Sequence, residues 1–494
     1  MINPTIFQCF HWYYPEDGSL WKRIEKEAAH LSETGVTHLW LPPAYKSASG
    51  AKGVGYDVYD HFDLGEFKQK GSVRTKYGTK EEYLKCIATL HQHKILAIGD
   101  IVLNHKQGAD ETEKIKVQKA NPKNRNEFIG EPEEAELYTR YSFPNRAKKY
   151  SDYIWDYHSF TGIDRQNGEE YHIYKILNEY GPGWDEVIDD ELGNFDYLMG
   201  ADIELRNPFV REELKKWGRW YYETTKVDGF RLDAVKHMSP SFVVEWIDFM
   251  RQQMKQNFFC MAEYWSQKAR VLHTYIDKLG GRAQLLDVPL HFNFYEAGKD
   301  EKYDLRNLFK GSLLELKPEL TITFVDNHDT QPFQTLESPV DASFKPHAYA
   351  VALLRLEGIP CVFFPDYYGT NFQEQGVQIN WSEVPGLRRM MKARKLLAYG
   401  EQKDFFNQQQ LVGWTRAGLQ ENPFSGLAIL LNRSSYIDNL EMEMGNQHAR
   451  KRFRELNGSF NNIIETDEQG KASFPVKPAA VSIWIREEAR QWFV

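Results

Sequence analysis

Eight short apolar runs recur along the chain up to about position 370, separated for the most part by helix-length amphipathic segments. They are TIFQCFHW (5–12), GVTHLWLPP (35–43), ILAIGDIVLNH (95–105), GFRLDAVKH (229–237), FFCMAEYW (258–265), LLDVPLH (285–291), LTITFVDNHD (320–329) and IPCVFFPDYYG (359–369). Near-continuous apolar runs bounded by turn residues read as strands buried on both faces, and strands that alternate with helices pair in parallel. Eight such βα units are the number that closes a (β/α)8 barrel. The intervening segments carry helix signals. Leu20, Ile24, Ala28 and Leu31 recur at helical spacing before Gly35, Thr79 and Glu82 form a capping box, and Asn207 with Pro208 opens NPFVREELKKWGRWYYETT.

The rhythm breaks twice. From 106 to 207 the chain is polar, aromatic and rich in turn residues, with no steady period. A bare loop of that length is implausible in a compact domain, so an inserted small domain is expected. After PGLRRMMKARKLLAYG (385–400), the strand-like runs LVGWTRA, GLAILLNR and AAVSIWIR are parted by turn signals. The expected fold is therefore α/β: a (β/α)8 TIM barrel over 1–105 and 208–398, an inserted domain over 106–207 after the third strand, and a C-terminal antiparallel β-sandwich domain over 399–494.

With 494 residues, 41% of them hydrophobic, the chain can bury a large core, and its net charge of −9 gives nucleic acid or an anionic membrane nothing to hold. A neutral polymer or a small neutral or cationic substrate fits better. No run reaches the ~18 apolar residues of a membrane span, and the start lacks a basic segment leading into an apolar one. Cys9, Cys86, Cys260 and Cys361 lie far apart with no CxxC pair, the pattern of reduced thiols. The expectation is a monomeric cytoplasmic protein.

In a barrel of this kind, polar residues at the carboxyl ends of strands face a shared mouth. Here they are Asp100, Asn104 and His105, then Arg231, Asp233, Lys236 and His237, then Glu263, and last Asp326, Asn327, His328 and Asp329. Taken singly, each acid reads as a loop cap, Arg231 with Asp233 as a structural ion pair, and each histidine as an interior one. Four strands ending this way read as a site. Close like charges push one carboxyl pKa up while an adjacent arginine keeps another ionised, and glycoside hydrolysis needs that asymmetry. A Mg²⁺ enzyme using these acids as ligands is disfavoured by Arg231 and Lys236 standing among them.

DIVLNH (100–105), GFRLDAVKH (229–237), AEYW (262–265) and FVDNHD (324–329) resemble, in order and spacing, the four signature segments of the α-amylase family, glycoside hydrolase family 13. VGYDVYD (54–60), the stretch 63–82, NFDYLMGADIE (194–204) and DVPLHF (287–292) extend the resemblance over nearly the whole chain, closest in look to bacterial liquefying and intracellular α-amylases. The resemblance implies Asp233 as nucleophile, Glu263 as general acid and base, and Asp329 as the third carboxyl, binding sugar hydroxyls. It implies that Arg231 orients Asp233, that His105 and His328 hydrogen-bond the sugar, that Tyr56 stacks on it, and that Lys236 and His237 line the leaving-group side. Two displacements give retention, with the reacting carboxyls about 5–5.5 Å apart.

The resemblance also implies a structural Ca²⁺ held by Asn104, Asp196, Asp202 and the main-chain oxygen of His237, a donor set of the hard oxygen type this ion takes, with Asp185 nearby. Arg206 stands where extracellular members carry an acid, which argues against a second ion beside the first. The implied activity is endo-acting hydrolysis of α-1,4-glucans: starch, glycogen or maltodextrins. The alternatives are a maltooligosaccharide-forming amylase, a 4-α-glucan transferase of the same family, and a catalytically inactive carbohydrate-binding relative. Trp155, Tyr157, Tyr171 and Trp184 in the insert read as the core of a small domain rather than as sugar platforms.

Overall fold

The computed structural model describes residues 3–167, 170–422 and 424–493. Eight parallel strands close into a barrel: β1 (Ile6–Gln8), β2 (His38–Leu41), β3 (Leu96–Ile101), β4 (Gly229–Leu232), β5 (Phe259–Ala262), β6 (Gln284–Leu286), β7 (Thr321–Phe324) and β8 (Ile359–Phe363). Closure is visible at Ile6, which pairs with His38 on one side and Cys361 on the other. The barrel helices include α1 (Leu20–Thr34), α2 (Lys80–Gln92), α3 (Pro208–Thr225), α4 (Pro240–Met254), α5 (Ala269–Lys278) and α6 (Val288–Lys299). Thr79 and Glu82 form both bonds of the capping box on α2, and Asn207 caps α3 through the Phe209 N–H. Gly35 ends α1 at φ 104°, a conformation that glycine alone adopts without strain.

The strands are shorter than the apolar runs. LLDVPLH divides: β6 stops at Leu286, and Asp287 caps α6 by accepting the Leu290 N–H, with Pro289 in the first turn. A short acceptor side chain followed by proline starts a helix whatever the hydrophobicity around it. IPCVFFPDYYG divides in the same way, with Pro365 inside the short helix Phe364–Tyr368. The end of each run thus forms the rim rather than the wall.

The insert is built on a six-stranded sheet. His105–Lys106 pairs with Ala201–Ile203, which pairs with Phe160–Asn167, then Glu170–Ile176, Glu111–Asn121 and Asn124–Arg140. The last two form a long ribbon with three register shifts, polar on both faces for much of its length, which is why no apolar period marks it. Of the four aromatics expected to form its core, Trp155 and Trp184 are buried and Tyr157 is half-buried, but Tyr171 is exposed, its hydroxyl donating to Asp164, and so lies outside the core.

The C-terminal region is antiparallel. A sheet in the order Gln402–Phe405, Leu411–Arg416, Leu427–Asn432, Ala480–Arg486, Arg452–Glu455, Ile464–Glu465 is covered by a two-stranded antiparallel sheet of Asp438–Glu443 with Lys471–Val476. Leu430, Met442, Phe453, Phe474 and Trp484 pack between the two layers. It meets the barrel through Arg355, whose guanidinium pairs with both oxygens of Asp404 at 2.9 Å. Among the described residues no helix is long and apolar enough to cross a membrane.

Candidate active site

β4 begins at Gly229 because β5 runs so close: a Cβ there would lie 2.3 Å from the Phe259 carbonyl oxygen. Two residues on, Arg231 points into the mouth and is wholly buried. Its Nη1 donates to Asp100 Oδ1 at 2.9 Å and to Asp233 Oδ1 at 2.5 Å, and its Nη2 donates to Glu263 Oε2 at 2.7 Å. Its guanidinium carbon lies 5.1 Å from the centre of the Trp40 ring. Asp100 is the most heavily satisfied of the three acids, since its other oxygen accepts from Trp40 Nε1 (2.9 Å) and the Tyr56 hydroxyl (2.7 Å). Three carboxyls share one cation.

Asp233 follows the last residue of β4, and its N–H donates to the Ile101 carbonyl of β3. Ala234 then turns the chain at φ 50°, which aims its own N–H at Glu263 Oε2, 3.1 Å away. Glu263 likewise leaves the end of β5, its N–H bonded to the Leu232 carbonyl. Asp329 reaches the site from beyond β7. Burial raises the Asp233 pKa against the pull of Arg231. Burial and the neighbouring charge of Glu263 push Asp329 up to about 8, so it holds a proton at neutral pH.

Aromatic rings form the adjoining wall. His328 stacks on Tyr56 (4.9 Å, 9°) and both lie parallel to Trp12. Burial keeps His328 neutral, and its Nδ1 is 2.9 Å from Gln8 Nε2. An imidazole that accepts at Nδ1 carries its proton on Nε2, which faces Asp329 Oδ2 at 3.3 Å. His105 is buried and neutral, its pKa near 4, with Nε2 2.9 Å from the Tyr56 carbonyl oxygen. It therefore reaches the site through Tyr56.

On the opposite rim, Lys236 Nζ lies 2.5 Å from Glu191 Oε2, and His237 Nδ1 is 2.6 Å from the Phe195 carbonyl oxygen. The same stretch of the insert carries a buried acidic cluster. Asp196 accepts the Asp185 N–H at 2.9 Å, and Asp202 faces Asn104 Nδ2 at 3.3 Å and accepts from Thr161. Burial and the charge of Asp185 raise Asp196 to about 7, and burial and the charge of Asp196 hold Asp202 well above the usual carboxylate range, while Asp185 Oδ2 is buried without a hydrogen-bond partner. Among the described residues no three His, Cys, Asp or Glu side chains alone form a metal-holding group. A cation here would draw on Asn104 and main-chain oxygens as well as Asp196 and Asp202. Arg206 forks onto both oxygens of Glu204 (2.7 Å each), placing a positive charge beside the cluster.

The family model described as "Alpha amylase, catalytic domain" matches residues 20–419. The chain is 45% identical to the cytoplasmic α-amylase of Escherichia coli K12 over 99% of its length and all of that protein's. It is 44% identical to an α-amylase of Geobacillus stearothermophilus, covering 98% of this chain and 87% of that one. The chain belongs to the α-amylase family.

Among solved structures of the family, an α-amylase of Geobacillus thermoleovorans complexed with acarbose superposes with a TM-score of 0.64 at 18% identity, covering 99% of this chain and 98% of that one; at that identity the likeness is one of fold. Within this α-amylase family barrel, Arg231, Asp233, Glu263, Asp329, His328 and Tyr56 come together at one mouth, while Asn104 meets Asp202 and Asp196 bonds the main chain at Asp185. Sequence reasoning noted Asp100 at a strand end but gave it no role, and it passed over Gln8, Trp12 and Trp40. Asp100 had a signal, an acid inside an apolar strand run. The other three looked like ordinary strand residues.

Proposed function

We propose that the chain is a retaining, endo-acting α-amylase that hydrolyses α-1,4 bonds in starch, glycogen or maltodextrins. The observation that carries this reading is the bridge of Arg231 between Asp233 and Glu263, which sets two carboxyls side by side with one oxygen of each already committed. Arg231 occupies Asp233 Oδ1, so Oδ2 is the oxygen left to attack the anomeric carbon. Glu263 Oε2 accepts from Arg231 and Ala234, so Oε1 is left to carry the acid's proton.

In the first displacement Asp233 forms an ester to the sugar, the glycosidic C–O bond breaks, and Glu263 protonates the departing oxygen. In the second, Glu263 takes a proton from water as that water's oxygen attacks the same carbon and frees Asp233. Asp329, holding its own proton in the free site, and His328, presenting its Nε2 proton, bind sugar hydroxyls. Tyr56, braced by His105 and Asp100, offers its face to the ring. Lys236 and His237 form the leaving-group side.

We propose that a structural Ca²⁺ is held by Asn104, Asp196, Asp202 and the His237 carbonyl. The paired pKa rise of Asp196 and Asp202 and the orphaned oxygen of Asp185 support it, because buried acids without enough counter-charge are what a hard divalent ion neutralises. When bound, the ion supplies positive charge that ties the insert to the barrel. The Arg206–Glu204 fork argues against a second ion. We place the working parts at 1–105 with 208–398 for the barrel, 106–207 for the insert and 399–494 for the C-terminal domain. The protein is proposed to act as a monomer in the cytoplasm, which four buried free cysteines and the cytoplasmic Escherichia coli relative support.

A non-reducing-end-blocked maltoheptaoside tests the reading through product length and anomeric form. Internal cleavage with α-configured first products is expected. No cleavage by the wild type, or undiminished cleavage by Glu263→Gln, would sink it, and β-configured products would refute double displacement.

A further inference from the structure

Lys236 does not stand free at the rim. Its Nζ lies 2.5 Å from Glu191 Oε2, 3.5 Å from Asp189 Oδ2 and 3.4 Å from the Trp265 carbonyl oxygen. Trp265 is two residues past Glu263, and the Val235 N–H donates to the Glu263 carbonyl, so the backbone carrying this lysine is tied to that carrying the proposed general acid. Glu191 comes from the other side of the cleft. It belongs to a turn in the insert fixed by the Gly193 N–H on the Asp190 carbonyl (2.9 Å) and by the Arg125 N–H on the Leu192 carbonyl (2.7 Å). The Lys236 side chain is 7% exposed, whereas that of Glu191 is 53% exposed.

An ammonium has three N–H donors and accepts nothing. Here one donor is spent on Glu191 at hydrogen-bond length, the Trp265 carbonyl is a long contact, and Asp189 adds an ion pair at 3.5 Å. A sugar hydroxyl arriving on this side must compete with Glu191 for the cation. Water, which needs no such anchor, is not excluded. The chemistry of the second displacement is the same for either: the Asp233 ester bond breaks, an oxygen attacks the anomeric carbon, and Glu263 takes the proton from that oxygen. What differs is whether the O–H belongs to water or to a sugar bound at the rim.

We infer that Glu191 is a positioning residue that holds Lys236 away from acceptor sugars and so biases this site toward hydrolysis over transfer. The inference rests on the reading of Asp233 and Glu263 as the reacting pair. If instead the exposed Glu191 carboxylate binds the acceptor directly, removing it lowers transfer, which is the opposite sign.

The test uses the full chain with maltotetraose at rising concentration, reading the ratio of longer transfer products to hydrolysis products. Wild type is compared with Glu191→Ala, Glu191→Asp and the double variant Glu191→Ala/Lys236→Ala, each checked by thermal melting. The ratio is expected to rise about fivefold to tenfold in Glu191→Ala, the scale of one freed charged hydrogen bond. It should stay near wild type in Glu191→Asp and lose the rise in the double variant. An unchanged or lower ratio in Glu191→Ala overturns the inference, as does a rise that survives loss of Lys236. A wild type that cleaves no maltooligosaccharide sinks the underlying reading as well, which separates the two failures.

Discussion

Arg231 and Asp100 meet at 2.9 Å, and neither side chain has any solvent exposure. Asp100 also holds Trp40 and Tyr56, so one carboxyl links the wall of β2, the end of β3, the guanidinium of β4 and the aromatic face of the mouth. Removing Asp100 leaves Arg231 its bonds to Asp233 and Glu263 but strands the buried Trp40 Nε1–H and Tyr56 O–H, which have no other acceptor in the site. Asp100→Ala is expected to destabilise the protein by about 2–4 kcal/mol, the cost of leaving buried donors unpaired. Thermal melting checks this, and a melting temperature equal to wild type would count against the arrangement. In Asp100→Asn, kcat is expected to fall more than KM rises, because the loss reaches the substrate through Arg231 and Tyr56 rather than by direct contact.

Glu263→Gln keeps the volume and the bonds from Arg231 and Ala234 but removes the transferable proton. Loss of general acid–base catalysis lowers kcat by about 10²–10⁴-fold. The blocked maltoheptaoside assay reads it, with unchanged melting showing that the fold is intact. A fall of less than tenfold would move the acid elsewhere.

Asp329 gives a pH dependence with a definite sign. Its pKa is about 8 in the folded protein against an ordinary 3.8. Between those values the folded state keeps a proton that the unfolded chain has lost, so stability from this group falls as pH rises. The contribution is whole below about pH 4 and gone once pH passes about 8. Between pH 5 and pH 9 the melting temperature of wild type should therefore drop further than that of Asp329→Asn. Equal drops would mean that Asp329 titrates normally.

Calcium is expected to raise the melting temperature, and EDTA to lower it, since an ion that binds only the folded state stabilises by about 2.7 kcal/mol at a hundred times its Kd. Asp202→Asn should abolish the response. Identical melts with and without EDTA in the wild type would leave the acidic cluster without its proposed ion.

The eight barrel strands were legible because each is buried on both faces and so reads as an apolar run. Their ends were not, because the rim needs turns and helix starts, and the Asp287–Pro289 signal inside LLDVPLH weighs more than its hydrophobicity. The ribbon of the insert was invisible for a related reason: much of it is wet on both faces, and no period survives that. The acids proposed to react stood out as strand ends in series, and the structure brings them to one mouth. The central place of Asp100 did not stand out, since it depends on Ile101 lying beside Leu232, an adjacency that only the closed barrel supplies.

That same adjacency bears on how the protein reaches its fold. β3 and β4 are neighbours in the wall, yet the whole insert and α3 lie between them in the chain, so this gap in the cylinder is bridged by residues 102–228. Entropy of closure grows only as the logarithm of loop length, about 0.6 kcal/mol per doubling, but a collapsed insert with its own sheet shortens the effective loop to the span between its two ends. His105–Lys106 pairs directly with Ala201–Ile203, which brings those ends together. An insert clasped at its base in this way lets β3 and β4 meet at the entropy of a short loop, and the site sits on that seam.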